Sequence, residues 1–149
     1  KRPMTILPYL PSYKPALLRL FDLNCPEYFH PSEKAHFEHY LGHETEDYFI
    51  AMNGETALGC AGLNYESDQT VAILSWDMIH PSHHGEGIGR KLVEHRLQRM
   101  KDLPGIRNII VRTSQHTWVF YQKMGFELKE RKANYWAPGM DLYYMEMSF

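Results

Sequence analysis

Apolar and polar positions fall in blocks along this chain, and the blocks change period at glycines and prolines. Residues 4–10 form a short apolar run with strand spacing. From Ser12 as N-cap, with Pro15 in the first turn, Ala16, Leu17, Leu20, Phe21 and Leu23 recur at helical spacing until Cys25-Pro26 breaks the pattern. A second helix is predicted from Pro31-Ser32-Glu33 to Leu41-Gly42, with Gly42 as its C-cap. Residues 48–52 and 56–64 read as strands joined by an Asn53-Gly54 hairpin turn. Gly59 and Gly62 within the second strand predict a bulge or a close backbone approach. Ser67-Asp68-Gln69 turns the chain into residues 73–79, an apolar, partly β-branched strand that His80-Pro81 stops.

After a glycine-rich loop the period turns helical again, through Ile88, Leu92, Val93, Arg96, Leu97 and Met100, towards a stop near Pro104-Gly105. Residues 108–113 are a strand reached through that helix, so they should run parallel to 73–79. A short helix over 116–124 stops at Gly125, and strands over 126–132 and 142–147 close the chain. The connection 133–141 between them is aromatic and turn-rich.

The loop between strand 73–79 and its helix carries Gly85, Gly87 and Gly89. A glycine loop feeding a helix N-terminus leaves backbone N–H groups unpaired, and the helix dipole adds partial positive charge there. Such a site suits a phosphate or pyrophosphate. The loop lacks the Gly-Lys-Ser/Thr of a Walker motif. It also departs from Gly-x-Gly-x-x-Gly, because Arg90 stands where the third glycine would be.

Composition narrows the classes. The 149 residues predict one domain over 1–149 with a single buried core. With 16 basic and 18 acidic residues the net charge is −2, which argues against a nucleic-acid binder. No apolar run reaches membrane-spanning length and no signal peptide is visible, so no membrane partner is expected. The sequence starts at Lys1 rather than methionine, so trimming is expected and a removed leader stays open. Cys25 and Cys60 form no metal or redox motif, which predicts two reduced thiols and a cytoplasmic location. His36, His39 and His43 share a helix face with Glu33 and Glu38 nearby. His39 and His43 have a metal-pair spacing, but Gly42 should end the helix between them, so a solvated polar face and no metal are expected.

With this element order in place, two motifs give the chain a resemblance to the GNAT superfamily of acyl-CoA-dependent N-acetyltransferases. His84-Gly85-Glu86-Gly87-Ile88-Gly89 is similar to the family's Gln/Arg-x-x-Gly-x-Gly/Ala loop. Phe120-Tyr121-Gln122-Lys123-Met124-Gly125-Phe126 is similar to its Tyr-x-Lys-x-Gly-Phe run. His84 departs from the Gln/Arg position, and Ser114 stands where an Asn often precedes the short helix. The resemblance implies an α+β (α/β) GNAT fold. That fold is a mixed, mostly antiparallel twisted sheet of about seven strands flanked by helices, with its central parallel pair splayed at the acyl-CoA site.

It further implies acetyl-CoA as co-substrate. The cofactor would lie along Met78, Ile79 and His80 and over His84, Gly85, Glu86, Gly87, Ile88, Gly89 and Arg90, with Ser114, Phe120 and Lys123 also in contact. A backbone N–H near Ile79 would polarise the thioester carbonyl. The implied reaction is direct attack by a primary amine on the thioester, with Tyr121 as the acid for the leaving thiolate. For the base, plain strand alternation sets Ile73, Ser75, Asp77 and Ile79 on one face and Trp76, Met78 and His80 on the other. Asp77 is then either the base or the partner in an ion pair, and His80 either a base or a solvated turn residue. His116 is a third option, and water a fourth.

The acceptor, a small-molecule or peptide amine, is expected between the first two helices and 133–141. Glu27, Tyr28, His30 and Glu33 lie in the first region, and Tyr135, Trp136 and Asp141 in the second. Acid plus aromatic groups suit a cationic amine. A catalytically silent acyl-CoA-binding module, or an O-acyl or longer-chain transferase, would use the same loop. The aromatic last strand fits either a core strand or a dimer edge, so monomer and homodimer both stand.

Overall fold

The computed structural model describes residues 3–149; the expectation of a trimmed start at Lys1 lies outside the described residues. Seven strands form one sheet: β1 (Thr5–Pro8), β2 (Asp47–Asn53), β3 (Thr56–Tyr65), β4 (Val71–Ile79), β5 (Asn108–Thr113), β6 (Glu127–Ala137) and β7 (Met140–Ser148). Their spatial order is β1-β2-β3-β4-β5-β7-β6. All neighbours are antiparallel except β4 and β5, which run parallel. Four helices flank the sheet: α1 (Lys14–Leu23), α2 (Lys34–His43), α3 (Ile88–Met100) and α4 (Trp118–Lys123).

Each helix is held by its apolar stripe. Leu17, Leu20 and Phe21 of α1 and Phe37, Tyr40 and Leu41 of α2 pack with Ile50, Cys60 and Met78 on one side of the sheet. Val93 and Met100 of α3 and Tyr121 of α4 pack with Leu63, Leu74, Val111 and Met145 on the other. Among the described residues no helix is long and apolar enough to cross a membrane.

Several boundaries differ from the sequence expectations. A 3-10 turn at Pro11–Tyr13 precedes α1, so Tyr13 and not Ser12 is the N-cap. Helix α2 runs through Gly42 to His43, because tertiary packing of Phe37, Tyr40 and Leu41 outweighs the glycine's preference for a stop. The 133–141 connection is largely strand: β6 continues to Ala137, with its pairing broken between Lys132 and Ala137. The last strand is interior, between β5 and β6, which leaves β6 at the edge.

Two features of β4 set up the site. Its ladder with β5 runs from Val71–Asn108 to Leu74–Val111 and stops there, while β4 continues to Ile79 paired with β3 alone. The central pair therefore parts, with one edge of β4 unpaired. The second feature is a bulge. Gly62 pairs Ser75 and Cys60 pairs Met78, so Trp76 and Asp77 together oppose Ala61. Trp76 holds φ at 50°, a left-handed value unusual for a bulky residue.

The bulge breaks the plain alternation at one point, between Ser75 and Trp76, and leaves Asp77 and Ile79 opposite Trp76 and Met78 as expected. Trp76 and Met78 pack against the α1–α2 side, whereas Asp77 reaches α3 and α4 and Ile79 packs beside Ile88. The extra residue shifts the strand's period by one, so Asp77 does not share a face with Ser75. Trp76 is held by Phe37 and Phe29, with ring centroids 5.1 and 5.9 Å away, and its carbonyl accepts from Tyr48 Oη at 2.7 Å.

Candidate functional site

The parting of β4 from β5 opens a cleft of about 910 Å³ that passes from the glycine loop to the α1–α2 side of the sheet. At the loop end, Gly85 and Gly87 have φ of 81° and 82°, values that L side chains rarely adopt. Gly87 is the N-cap of α3 and offers no side-chain acceptor, so the first helical N–H groups face outward. Gly89 lets the helix approach α4: a Cβ there would stand 3.2 Å from Phe120 Cζ. The His80 N–H donates to Leu58 O on the β3 side. Strand alternation then turns the Ile79 N–H towards the unpaired edge.

A buried polar group crosses the middle of the cleft. Arg96 of α3 is fully buried. Its Nη1 donates to Asp77 Oδ1 at 2.7 Å and to Gly62 O at 2.9 Å, its Nη2 to Asp77 Oδ2 at 2.7 Å, and its Nε to Leu92 O at 3.1 Å. Tyr121 Oη donates to the same Asp77 Oδ2 at 2.6 Å. Burial and then the Asp77 carboxylate push the Tyr121 phenol well above its ordinary value. Burial opposes the charge on Arg96, but Asp77 outweighs it and raises the guanidinium further. Cys60, buried below this group, is pushed up to about 12 by desolvation.

On the α1–α2 side the cleft is lined by Phe29, Glu33, Tyr40, Glu44, Glu46 and Asn64, with Ser75 and Trp76 on its floor. Tyr40 Oη donates to Asn64 Oδ1 at 2.6 Å, and Asn64 Nδ2 donates to Glu46 Oε1 at 3.0 Å and Glu44 O at 2.7 Å. Burial raises the Glu33 carboxyl, although the His30 N–H, 3.0 Å away, pulls the other way. Arg112, the cation of β5 that also lines the cleft, stacks over Tyr144. Tyr28 bridges the mouth, with its hydroxyl 3.3 Å from His84 Nδ1 and its ring 6.1 Å from His116.

Of the residues singled out from sequence, Asp77, Met78, Ile79, His84, Gly85, Gly87, Ile88, Gly89, Arg90, Ser114, Phe120, Tyr121, Tyr28, Glu33 and Trp136 line this cleft. His80, Glu86, Lys123, Glu27 and Tyr135 do not. His80 Nδ1 accepts from Ser82 N at 3.2 Å, which makes it the cap of a turn, and burial lowers its pKa. Glu86 bonds His83 Nδ1 at 3.1 Å, and Tyr135 is half exposed. Asp77 takes the ion-pair reading. His39 and His43 stack at 4.6 Å, but among the described residues no group of three or more metal-type ligands is assembled.

Sequence reasoning missed Arg96, Tyr40, Glu44, Glu46 and Asn64. Arg96 carried a signal, an arginine within the apolar stripe of α3. The others had none, because long-range packing alone brings them to the cleft.

The matching family model is that of the Acetyltransferase (GNAT) family, over residues 15–126. An uncharacterized N-acetyltransferase ycf52-like of Prochlorococcus marinus is 31% identical over 65 residues, which is 43% of this chain but only 36% of the relative. A solved putative acetyltransferase of the GNAT family from Desulfovibrio desulfuricans has a TM-score of 0.81 at 19% identity, covering 98% of this chain and 99% of its own. An aminoglycoside 6'-N-acetyltransferase complexed with coenzyme A has a TM-score of 0.79 at 16% identity, covering 97% and 96%.

Proposed function

This chain belongs to the GNAT family of acetyltransferases, and from that premise we propose that it transfers an acetyl group from acetyl-CoA to a primary amine. The observation that carries the reading is the end of the β4–β5 ladder at Leu74–Val111, beside the glycine loop. An unpaired strand edge next to an anion-binding helix terminus suits a ligand with amides in one part and a pyrophosphate in another. Coenzyme A has both. The pyrophosphate meets the N–H groups at Gly87–Ile88–Gly89, and the pantetheine amides pair with the free edge of β4.

The amine enters from the α1–α2 side. Glu33, Glu44 and Glu46, set against Arg112, together with the Trp76 and Phe29 rings, favour a cationic acceptor. Its nitrogen, having first lost a proton through water, forms the C–N bond while the Ile79 N–H stabilises the oxyanion. The C–S bond then breaks, with its electron pair going to sulfur. Tyr121 gives its hydrogen to that sulfur, and the proton shed by the ammonium returns through water to the phenolate.

Incubation with acetyl-CoA and a panel of monoamines, diamines and amino-terminal peptides tests this, read as free thiol and as acetylated amine by mass spectrometry. The expected result is thiol release that depends on an amine. Coenzyme A binding with no thiol release for any amine would make the chain a binding module instead.

A further inference from the structure

Arg96 occupies a position on the apolar stripe of α3, between Leu92 and Met100, where a leucine would pack. A buried ion pair is generally no more stabilising than hydrophobes of the same volume, so a fully buried guanidinium at this place calls for a role beyond packing. Its bonds define one. Gly62 O and Leu92 O fix the guanidinium to the bulge and to its own helix, and both oxygens of Asp77 accept from its fork. Asp77 in turn accepts from Tyr121. The three side chains come from α3, β4 and α4, and both Asp77 and Tyr121 face the cleft.

Resting on the acetyl-transfer reading, we propose that Arg96 is a positioning residue. It holds Asp77 in the bulge so that Asp77 orients the Tyr121 phenol, and its charge offsets the phenolate left when Tyr121 gives up its hydrogen. The phenol hydrogen points to Asp77 Oδ2 until the C–S bond breaks, then turns to the sulfur that receives the electron pair. Asp77 alone would set a carboxylate against that phenolate; the paired Arg96 brings the local charge of Arg96 and Asp77 to zero. The proton shed by the acceptor ammonium restores the phenol, so no further reactant is needed. The other titratable groups facing the pair are Tyr40 of α2, Tyr48 of β2 and Cys60 of β3, and burial raises all three. They carry no charge at neutral pH, which leaves Asp77 and Arg96 as the charges beside Tyr121 there.

The test needs no acceptor. Tyrosine labelled with carbon-13 at Cζ reports phenol ionisation by NMR, with the Tyr121 resonance assigned through Tyr121→Phe. Asp77→Asn is expected to shift the Tyr121 titration down, because the raising charge is gone and the lowering one remains. Arg96→Lys keeps the charge but not the two-pronged bond to Asp77, so it should shift the titration by less than Asp77→Asn does. Should Asp77→Asn not fold, the neutral pair Asp77→Asn with Arg96→Gln leaves no unpaired charge and should shift the titration down by less. A merely structural Arg96 predicts no such order. The same titration in the parent chain and in Asp77→Asn or the neutral pair, or a shift in Arg96→Lys as large as theirs, overturns the proposal. Calorimetric titration with coenzyme A, run on the same proteins, reports separately on the acetyl-transfer reading.

Discussion

The Tyr121 hydroxyl is the group on which the chemistry turns, and its surroundings favour the neutral form. Burial comes first and the Asp77 carboxylate second, with Arg96 partly opposing them. A phenol so placed stays protonated at neutral pH and has a hydrogen to give. Tyr121→Phe removes only that hydroxyl, and Asp77 keeps its bidentate bond to Arg96. The expected outcome is a fall in kcat of about 100-fold, the ordinary contribution of a positioned acid, with unchanged affinity for coenzyme A. Steady-state kinetics and calorimetry check the two halves, and a variant turning over at the parent rate would remove Tyr121 from the mechanism. Both motif residues, Gly87 and Tyr121, were legible in the sequence because each belongs to a short local pattern. Arg96 was visible only as an oddity of spacing.

Among the elements, the β3–β4 pair decides where the chemistry can sit. The bulge opposite Ala61 turns Asp77 to the α3–α4 side, and beside it Gly62 makes room for the Tyr48 ring. A Cβ on Gly62 would run into the Tyr48 ring, which is buried and bonded to Trp76 O. Gly62→Ala should therefore destabilise the fold by about 1–3 kcal/mol, the usual range for overpacking. Gly42→Ala is the natural control. It lies inside α2 with nothing within 4 Å of its Cβ, and should stabilise by about 0.5–1 kcal/mol. Urea unfolding of the two variants should give shifts of opposite sign; a stabilised Gly62→Ala would contradict the packing described.

The sequence reading anticipated the order of elements along the chain, the hairpin turn, the parallel return of β5 and a disturbance near Gly59 and Gly62. It set Asp77 and Ile79 opposite Trp76 and Met78, as found, but put Ser75 on the face of Asp77, because the residue that bulges is Trp76, with φ of 50° and neither glycine nor proline to mark it. Tertiary contacts with Phe29, Phe37 and Tyr48 impose that conformation, and none of them is near in sequence.

At the scale of the whole molecule, the core holds several acidic protons away from water. Cys60 is pushed up to about 12 from an ordinary value of 9.0, and Tyr48 and Tyr121 lie well above 10.0, all mainly through burial. Folded values raised above unfolded ones mean stability that is complete below the unfolded pKa and lost as pH rises towards the folded one. Stability should therefore be level up to about pH 9 and then fall, each such group removing about 1.4 kcal/mol per pH unit. Urea midpoints measured from pH 7 to 11 check this, and a flat profile would contradict the burial of these groups. The same sheet that buries them parts at one end to form the cleft, and the account as a whole rests on coenzyme A occupying it. Thermal unfolding with and without coenzyme A, for the parent chain and for Gly87→Val, tests that most directly. The left-handed φ of 82° at Gly87 excludes valine without distortion of the loop. The account predicts that coenzyme A raises the melting temperature of the parent chain and leaves that of Gly87→Val unmoved. No shift in the parent chain, or an equal shift in both, would contradict it.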